Sequence, residues 1–190
     1  MHTFRVWAPL PKKVELQVGN KRFPMSRDEN GWWTAEVNLV GTLRRGVRTA
    51  QRAVPTDYGF VLDGKGPFPD PRSSWQPDGV HGLSRLVNHE NFKWADKHFQ
   101  ALPLASAVIY ELHIGTFTPE GTFESAIKKL EHLVKLGVTH VEVMPVAEFS
   151  GNHNWGYDGV DLFTPHHAYG GPAGLKKFVN ACHARGLAVI

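Results

Sequence analysis

The sequence predicts a multidomain chain, a small β-sandwich followed by part of a parallel α/β sheet or barrel. Two observations carry this. Toward the amino terminus, short apolar stretches alternate with polar residues at the period of half-buried strands and are separated by turn signals. From Ser106 onward, apolar runs alternate with helical patterns, the strand–helix rhythm of a parallel sheet. The boundaries read as 1–84 for the sandwich, 85–105 for a linker and 106–190 for the barrel part.

Phe4–Trp7 is an apolar start. Val14, Leu16 and Val18 alternate with Glu15 and Gln17, which predicts a strand with one buried face. Asp28-Glu29-Asn30-Gly31 signals a turn, and Trp32–Val37 follows as a strand. Residues 41–57 are basic, weakly periodic and broken by Gly41, Gly46 and Pro55, and they predict no definite structure. Tyr58–Leu62 resumes a strand. Residues 63–104 are rich in Pro, Gly, Asp and Trp; disordered linkers are poor in aromatics, so this connection is read as ordered.

Val108–His113 predicts a first barrel strand. Thr122 caps a helix whose apolar face is Ala126, Ile127, Leu130, Leu133 and Val134, with Gly137 as its C′ residue. Val138–Val146 is a second strand and 147–171 a long loop. Pro172 opens a second helix that runs to about Arg185 and stops at Gly186. Leu187–Ile190 starts a third strand, within which the sequence stops. Sites in parallel α/β folds collect at the carboxyl ends of strands, so the chain is expected to carry only the front of such a face.

Composition narrows the function class. A net charge of +3 does not suggest nucleic acid, and the Arg44, Arg45, Arg48 and Arg52 cluster, without alternating aromatics, reads as a solvated loop rather than a phosphate site. The single cysteine, Cys182, excludes an internal disulfide and fits a reducing cytoplasm. Its register with Leu175, Phe178 and Val179 makes it core rather than nucleophile. The start MHTFRVWAPLPKK is too polar for a signal peptide, and no stretch approaches the roughly 20 apolar residues of a membrane span. Neither a membrane nor a nucleic-acid partner is expected.

The loop 147–171 is the most suggestive segment. It holds Trp155, Tyr157 and Tyr169 among His153, Asn154, Asp158, Asp161, His166 and His167. Aromatic faces stack on sugar C–H surfaces while the polar groups bind hydroxyls. The same rings could instead pack the loop on itself, and spacing leaves both readings open. His153, His166 and His167 lack the HExxH or paired-cysteine context of a zinc site, so no metal or other cofactor is predicted. Gly170-Gly171 before Pro172 reads as a turn more readily than as an anion site. Glu111 and Glu142, with His113 on the Glu111 face, lie within strands and read as a structural polar layer.

The stretches FRVWAP (4–9), PDPRSSWQPDGVHG (69–82), VIYELHIGTFTPEGTF (108–123), LGVTHVEVMPVAEFSGNHNWGYDGV (136–160) and YGGPAGLKKFVNACHARGLAVI (169–190) together resemble the amino-terminal part of the malto-oligosyltrehalose trehalohydrolases, a branch of the α-amylase family of glycoside hydrolases. ELHIGTFTPEGTF and NWGYDGV also resemble glycogen branching and debranching relatives; the PDPRSSWQPDGVHG linker favours the trehalohydrolases. The resemblance implies an immunoglobulin-like β-sandwich, then a (β/α)₈ barrel truncated here in its third strand. It implies cleavage of the α-1,4 bond next to the terminal trehalose unit of maltooligosyl trehalose, with retention, by an Asp nucleophile, a Glu acid/base and a second Asp.

By the family pattern those three carboxylates follow strands four, five and seven, so all catalytic residues are expected beyond Ile190. An Asp-and-His motif just after it is expected too, and the chain alone is expected to be inactive. Tyr157 matches the family aromatic that stacks on the sugar at the cleavage site, and Trp155 and Asp158 share its motif. These three are the implied substrate-binding residues, with an α-glucan oligosaccharide as partner. Residues 41–57 depart from the family pattern, as an insertion or a reading-frame disturbance would make them. The alternatives are a branching or debranching relative, or a non-catalytic α-glucan-binding fragment.

Overall fold

The computed structural model describes residues 1–39 and 56–190. Val40 and most of the weakly periodic 41–57 segment, including Arg44, Arg45, Arg48 and Arg52, lie outside the described residues. The chain divides into two compact units. One comprises Met1–Asp70 with His81–Leu86, the other Pro71–Val80 with Val87–Ile190.

The first unit is built from β1 (His2–Trp7), β2 (Val14–Val18), β3 (Lys21–Pro24), β4 (Ser26–Arg27), β5 (Trp32–Val37), β6 (Asp57–Leu62), β7 (Lys65–Phe68) and β8 (Ser84–Arg85). One antiparallel sheet has the order β1-β5-β4. The other has the order β3-β2-β6-β7, with β8 also paired to β6. Alternation decides what is buried. Phe4, Val6, Trp33, Ala35 and Val37 from the first sheet meet Val14, Leu16, Val18, Tyr58 and Phe60 from the second in one apolar core. The turn into β5 is held by Asp28, whose Oδ1 accepts the amides of Asn30 and Trp32, each at 2.9 Å. Inside the core, the Tyr58 hydroxyl donates to Asp70 Oδ2 at 2.8 Å. Burial, then the Asp70 carboxylate, pushes the Tyr58 phenol well above its ordinary range.

The second unit contains β9 (Ile109–Leu112), α1 (Ile114–Phe117), α2 (Phe123–Ile127), α3 (Leu130–Lys135), β10 (His140–Val143), β11 (Ala147–Glu148), β12 (Asp161–Pro165), α4 (Gly171–His183) and β13 (Ala188–Val189). Strands β13, β10 and β9 lie side by side and parallel, in that order. Their helix-side residues Leu112 and Val141, with Leu187 just before β13, pack with Phe123, Ala126, Leu130, Leu133, Phe178 and Cys182 into one core. A fully buried side chain of this size contributes about 1.5–3 kcal/mol by leaving water.

Both helical segments end in paired reverse bonds that lead the chain into the next strand. Gly137 N–H donates to Val134 O at 3.0 Å and Val138 N–H to Leu133 O at 3.1 Å after α3. Gly186 N–H donates to His183 O and Leu187 N–H to Cys182 O, each at 3.0 Å, after α4. This is the Schellman pattern, and Val138 and Leu187 enter the core directly behind it.

Three expectations are corrected. The helix expected to run unbroken from Thr122 is split at Lys128–Lys129. Lys128 N–H donates to Ser125 O and Lys129 N–H to Ala126 O, tightening the turn so that Ala126 and Leu130 both reach the core. The Thr122 cap is present, with Ser125 N–H donating to its Oγ1 at 3.1 Å. The second strand is shorter than 138–146, because the paired strand ends at Val143 and β11 leaves to form a hairpin. The segment 147–171 is therefore not one loop: β11 pairs antiparallel with β12 across a bulge between Ala147 and Glu148, and a 3₁₀ turn spans His167–Tyr169.

The Pro-rich connection is ordered, as read. Thr164 Oγ1 donates to Ser73 O at 2.6 Å, and Ala95 N–H donates to Asn180 Oδ1 at 2.8 Å. Phe99 stacks on His183 at 4.0 Å between centroids, while His183 Nδ1 lies 2.7 Å from Asp96 Oδ2. Gly171, at φ +57°, has the Trp75 ring where a Cβ would stand, and Gly170 stands at φ +111°, so close packing accounts for the one and backbone conformation for the other.

Candidate functional site

The carboxyl ends of β9 and β10 open onto a cavity of about 580 Å³. His113 closes β9, and Gly115 and Thr116 of α1 follow it into the wall. Met144 follows β10 directly, its amide donating to Leu112 O at 3.0 Å. The opposite wall is Asn152, His153, Asn154 and Trp155, and Tyr169 closes the side before α4. The lining holds no carboxylate, lysine or arginine and is mixed: a Trp face and a thioether beside two hydroxyls, amides and imidazoles. That combination suits an uncharged polyhydroxylated ligand, with C–H surfaces on the ring and hydroxyls on the polar groups. Glycosidic cleavage needs two flanking carboxyl groups. Among the described residues the cavity wall supplies none.

The turn from Asn154 to Asp158 alternates in role. Asn154 Oδ1 accepts the Gly156 amide at 2.6 Å, and Asn154 Nδ2 donates to Asp158 Oδ2 at 2.9 Å. Gly156 has φ +97°, and a Cβ there would overlap the Pro145 carbonyl. The even positions thus tie the turn down and the odd ones project outward. Trp155 is 81% exposed and Tyr157 68% exposed. Of the three residues singled out for binding, Trp155 lines the cavity; Tyr157 and Asp158 sit on the same turn outside its wall.

The three histidines considered together part company. His153 lines the cavity, whereas His166 and His167 converge on Glu148. Glu148 is fully buried. Its Oε1 accepts His166 Nδ1–H at 3.0 Å and His167 Nδ1–H at 2.7 Å, and its Oε2 accepts the His167 amide at 2.8 Å. His166 stacks on Phe149 at 3.7 Å. Burial raises the Glu148 carboxyl, and the bonds from His166 and His167 outweigh it, leaving the group below its ordinary value.

Among the described residues, Glu148, His166 and His167 form a group with ligand atoms near enough for a metal. Their 2.7 and 3.0 Å separations are those of hydrogen bonds. Donors bound about 2.0–2.1 Å from a tetrahedral zinc would stand roughly 3.3 Å apart.

Glu111 and Glu142 are partners in register on the sheet face opposite the helical core. Cys182 is fully buried, and burial pushes its thiol up to about 12, against a smaller opposing effect of Arg185. It is a core residue. Sequence reading passed over Gly115, Thr116, Met144, Asn152 and Glu148. The carboxyl-end rule, applied to both strands, would have found Met144; nothing local marks the others.

The alpha amylase catalytic-domain family model matches residues 68–190. The chain belongs to the alpha-amylase family. Among its curated relatives, the malto-oligosyltrehalose trehalohydrolase of Arthrobacter ramosus is 51% identical over 98% of this chain and 31% of its own length. That of Saccharolobus solfataricus is 46% identical over 99% of this chain and 31% of its own. This alpha-amylase family chain therefore spans about a third of the length of the curated relatives it matches. In structure it is similar to a Salmonella typhimurium protein described as an alpha amylase, with a TM-score of 0.88, 42% identity, and coverage of 99% of this chain and 30% of that one. A pullulanase from Anoxybacillus complexed with maltotriose shares the fold at a TM-score of 0.73 and 23% identity, over 98% of this chain and 31% of its own. The second unit is thus part of an alpha-amylase-type barrel.

Proposed function

We propose that the full-length protein is a glycoside hydrolase that cleaves the α-1,4-glucosidic bond next to the terminal trehalose unit of maltooligosyl trehalose, and that this chain is its amino-terminal part. One observation carries the reading. Identity to a malto-oligosyltrehalose trehalohydrolase reaches 51% across 98% of the chain, whereas identity to a glycogen branching enzyme of Vibrio parahaemolyticus is 32% across the same share. The amino-terminal part (1–84) is then an immunoglobulin-like module, joined by a linker (85–105) to the first strands of the (β/α)₈ barrel (106–190). The retaining carboxylates come from later strands. A cytoplasmic setting fits the one buried thiol.

In this reading the chain's own residues bind and orient the α-glucan. Tyr157 presents its ring to the sugar at the cleavage site, Trp155 offers a second face at the cavity, and Asp158 accepts a sugar hydroxyl. The support is geometric: both rings project from a turn that Asn154, Gly156 and Asp158 hold from behind.

The test is product analysis with the full-length protein and maltooligosyl trehalose. Free trehalose and a shortened maltooligosaccharide are expected. New α-1,6 branches on amylose without trehalose release would replace this reading with the branching one.

A further inference from the structure

We propose that His113 is a positioning residue for the substrate face: it fixes the Asn154–Asp158 turn from beneath by holding the Asn154 main-chain carbonyl. The inference rests on the reading of that turn as the glucan-binding face and assigns His113 a role through the main chain of that turn.

His113 Nε2 lies 2.7 Å from Asn154 O across 41 residues of sequence. A carbonyl only accepts, so Nε2 carries the hydrogen of this bond. The Thr116 hydroxyl lies 3.3 Å from Nδ1 and 3.4 Å from the His113 main-chain oxygen. The ring is also held sideways, edge-to-face with Tyr169 at 6.0 Å and 85°, with the Tyr169 hydroxyl 3.4 Å from Nε2. The orientation of the ring and the hydrogen on Nε2 are thus set by neighbours.

From the Asn154 carbonyl the same residue continues through its side chain to the Gly156 amide and the Asp158 carboxylate. One bond from β9 therefore anchors the frame from which Trp155 and Tyr157 project. Without it the rings remain but lose their alignment. Misalignment of this kind costs about tenfold to a hundredfold in kcat/KM.

The test uses the full-length protein and two variants. His113→Phe keeps a planar ring and removes the donor; His113→Gln keeps an N–H. Two quantities are read: hydrogen exchange at the Gly156 amide, which needs no substrate, and kcat/KM for trehalose release. Exchange at least tenfold faster in His113→Phe, with exchange and kcat/KM both recovering in His113→Gln, is the expected result. If His113→Phe does not fold, His113→Asn, too short to reach the carbonyl, takes its place.

Exchange at Gly156 unchanged in the donor-less variant overturns the proposal. So does a loss of kcat/KM that His113→Gln shares in full. If the wild-type protein releases no trehalose, the functional reading fails, while the exchange measurement still decides whether His113 holds the turn.

Discussion

Glu148 and His167, 19 residues apart, are joined twice: Oε2 accepts the His167 amide at 2.8 Å and Oε1 accepts its ring Nδ1–H at 2.7 Å. The first bond fixes the backbone at the start of the 3₁₀ turn, and the second fixes the side chain. Because His166 bonds to the same Oε1, one carboxylate ties β11 to the chain that leads into α4 and past Tyr169. The hairpin and the cavity wall thus share one buried anchor.

Removing that anchor leaves the buried His166 ring donor and the half-buried amide and ring donors of His167 without their acceptor. Each unsatisfied buried donor costs about 1–3 kcal/mol. Glu148→Ala is therefore expected to lower stability by about 3 kcal/mol or more. Glu148→Gln, which keeps one acceptor oxygen, is expected to lose less. Denaturant midpoints of the full-length variants check the order; equal midpoints for wild type and Glu148→Ala would show that the triad contributes nothing.

The same carboxylate predicts an acid response. Its value in the folded protein is lowered. The stability it contributes is then fully present above the unfolded carboxylate value of about 4.3 and is lost as pH falls from there through the folded value. Melting temperatures of wild type and Glu148→Gln, followed from neutral pH downward, are expected to converge in that acid window. Curves that stay parallel throughout would contradict the assignment.

Much of the fold was legible in the sequence, because the signals for it are local. Val14, Leu16 and Val18 show their buried face by alternation, and Thr122, Gly137 and Gly186 mark helix ends by chemistry that acts within a few residues. The β11–β12 hairpin was not legible. β11 has two residues and a bulge, too short for a period to appear. The site was read in half. Trp155, Tyr157 and Asp158 were singled out through their motif, and of these Trp155 lines the cavity; the contacts of Glu148 and His113 depend on register across the hairpin and on a main-chain carbonyl, which no side-chain pattern announces.

Packing at the start of α4 gives a sharper mutational test. A Cβ at Gly171 would enter the Trp75 ring, so Gly171→Ala is expected to cost about 2 kcal/mol or more through overpacking. Pairing it with Trp75→Leu should recover part of the loss, since the obstructing ring is gone. Chemical denaturation of the two single variants and the double variant measures the coupling. Strict additivity would mean that the two residues do not meet.

Trp155 and Tyr157 are expected to separate binding from folding. Both rings are exposed and neither belongs to the apolar core, so Trp155→Ala and Tyr157→Ala should leave the melting temperature close to wild type. Each should weaken glucan binding, with Tyr157→Ala lowering kcat/KM by about thirtyfold, equivalent to an aromatic anchor of about 2 kcal/mol. Calorimetric melts beside steady-state kinetics of the full-length variants give both readouts. Unchanged turnover in Tyr157→Ala would assign that ring to packing within its own turn.

The most direct measurement is quantitative product analysis of the full-length protein on maltooligosyl trehalose, run beside Tyr157→Ala. The account predicts one free trehalose for each substrate shortened, and the same products formed more slowly by the variant. Glucan products without trehalose, or a variant as fast as wild type, would contradict it.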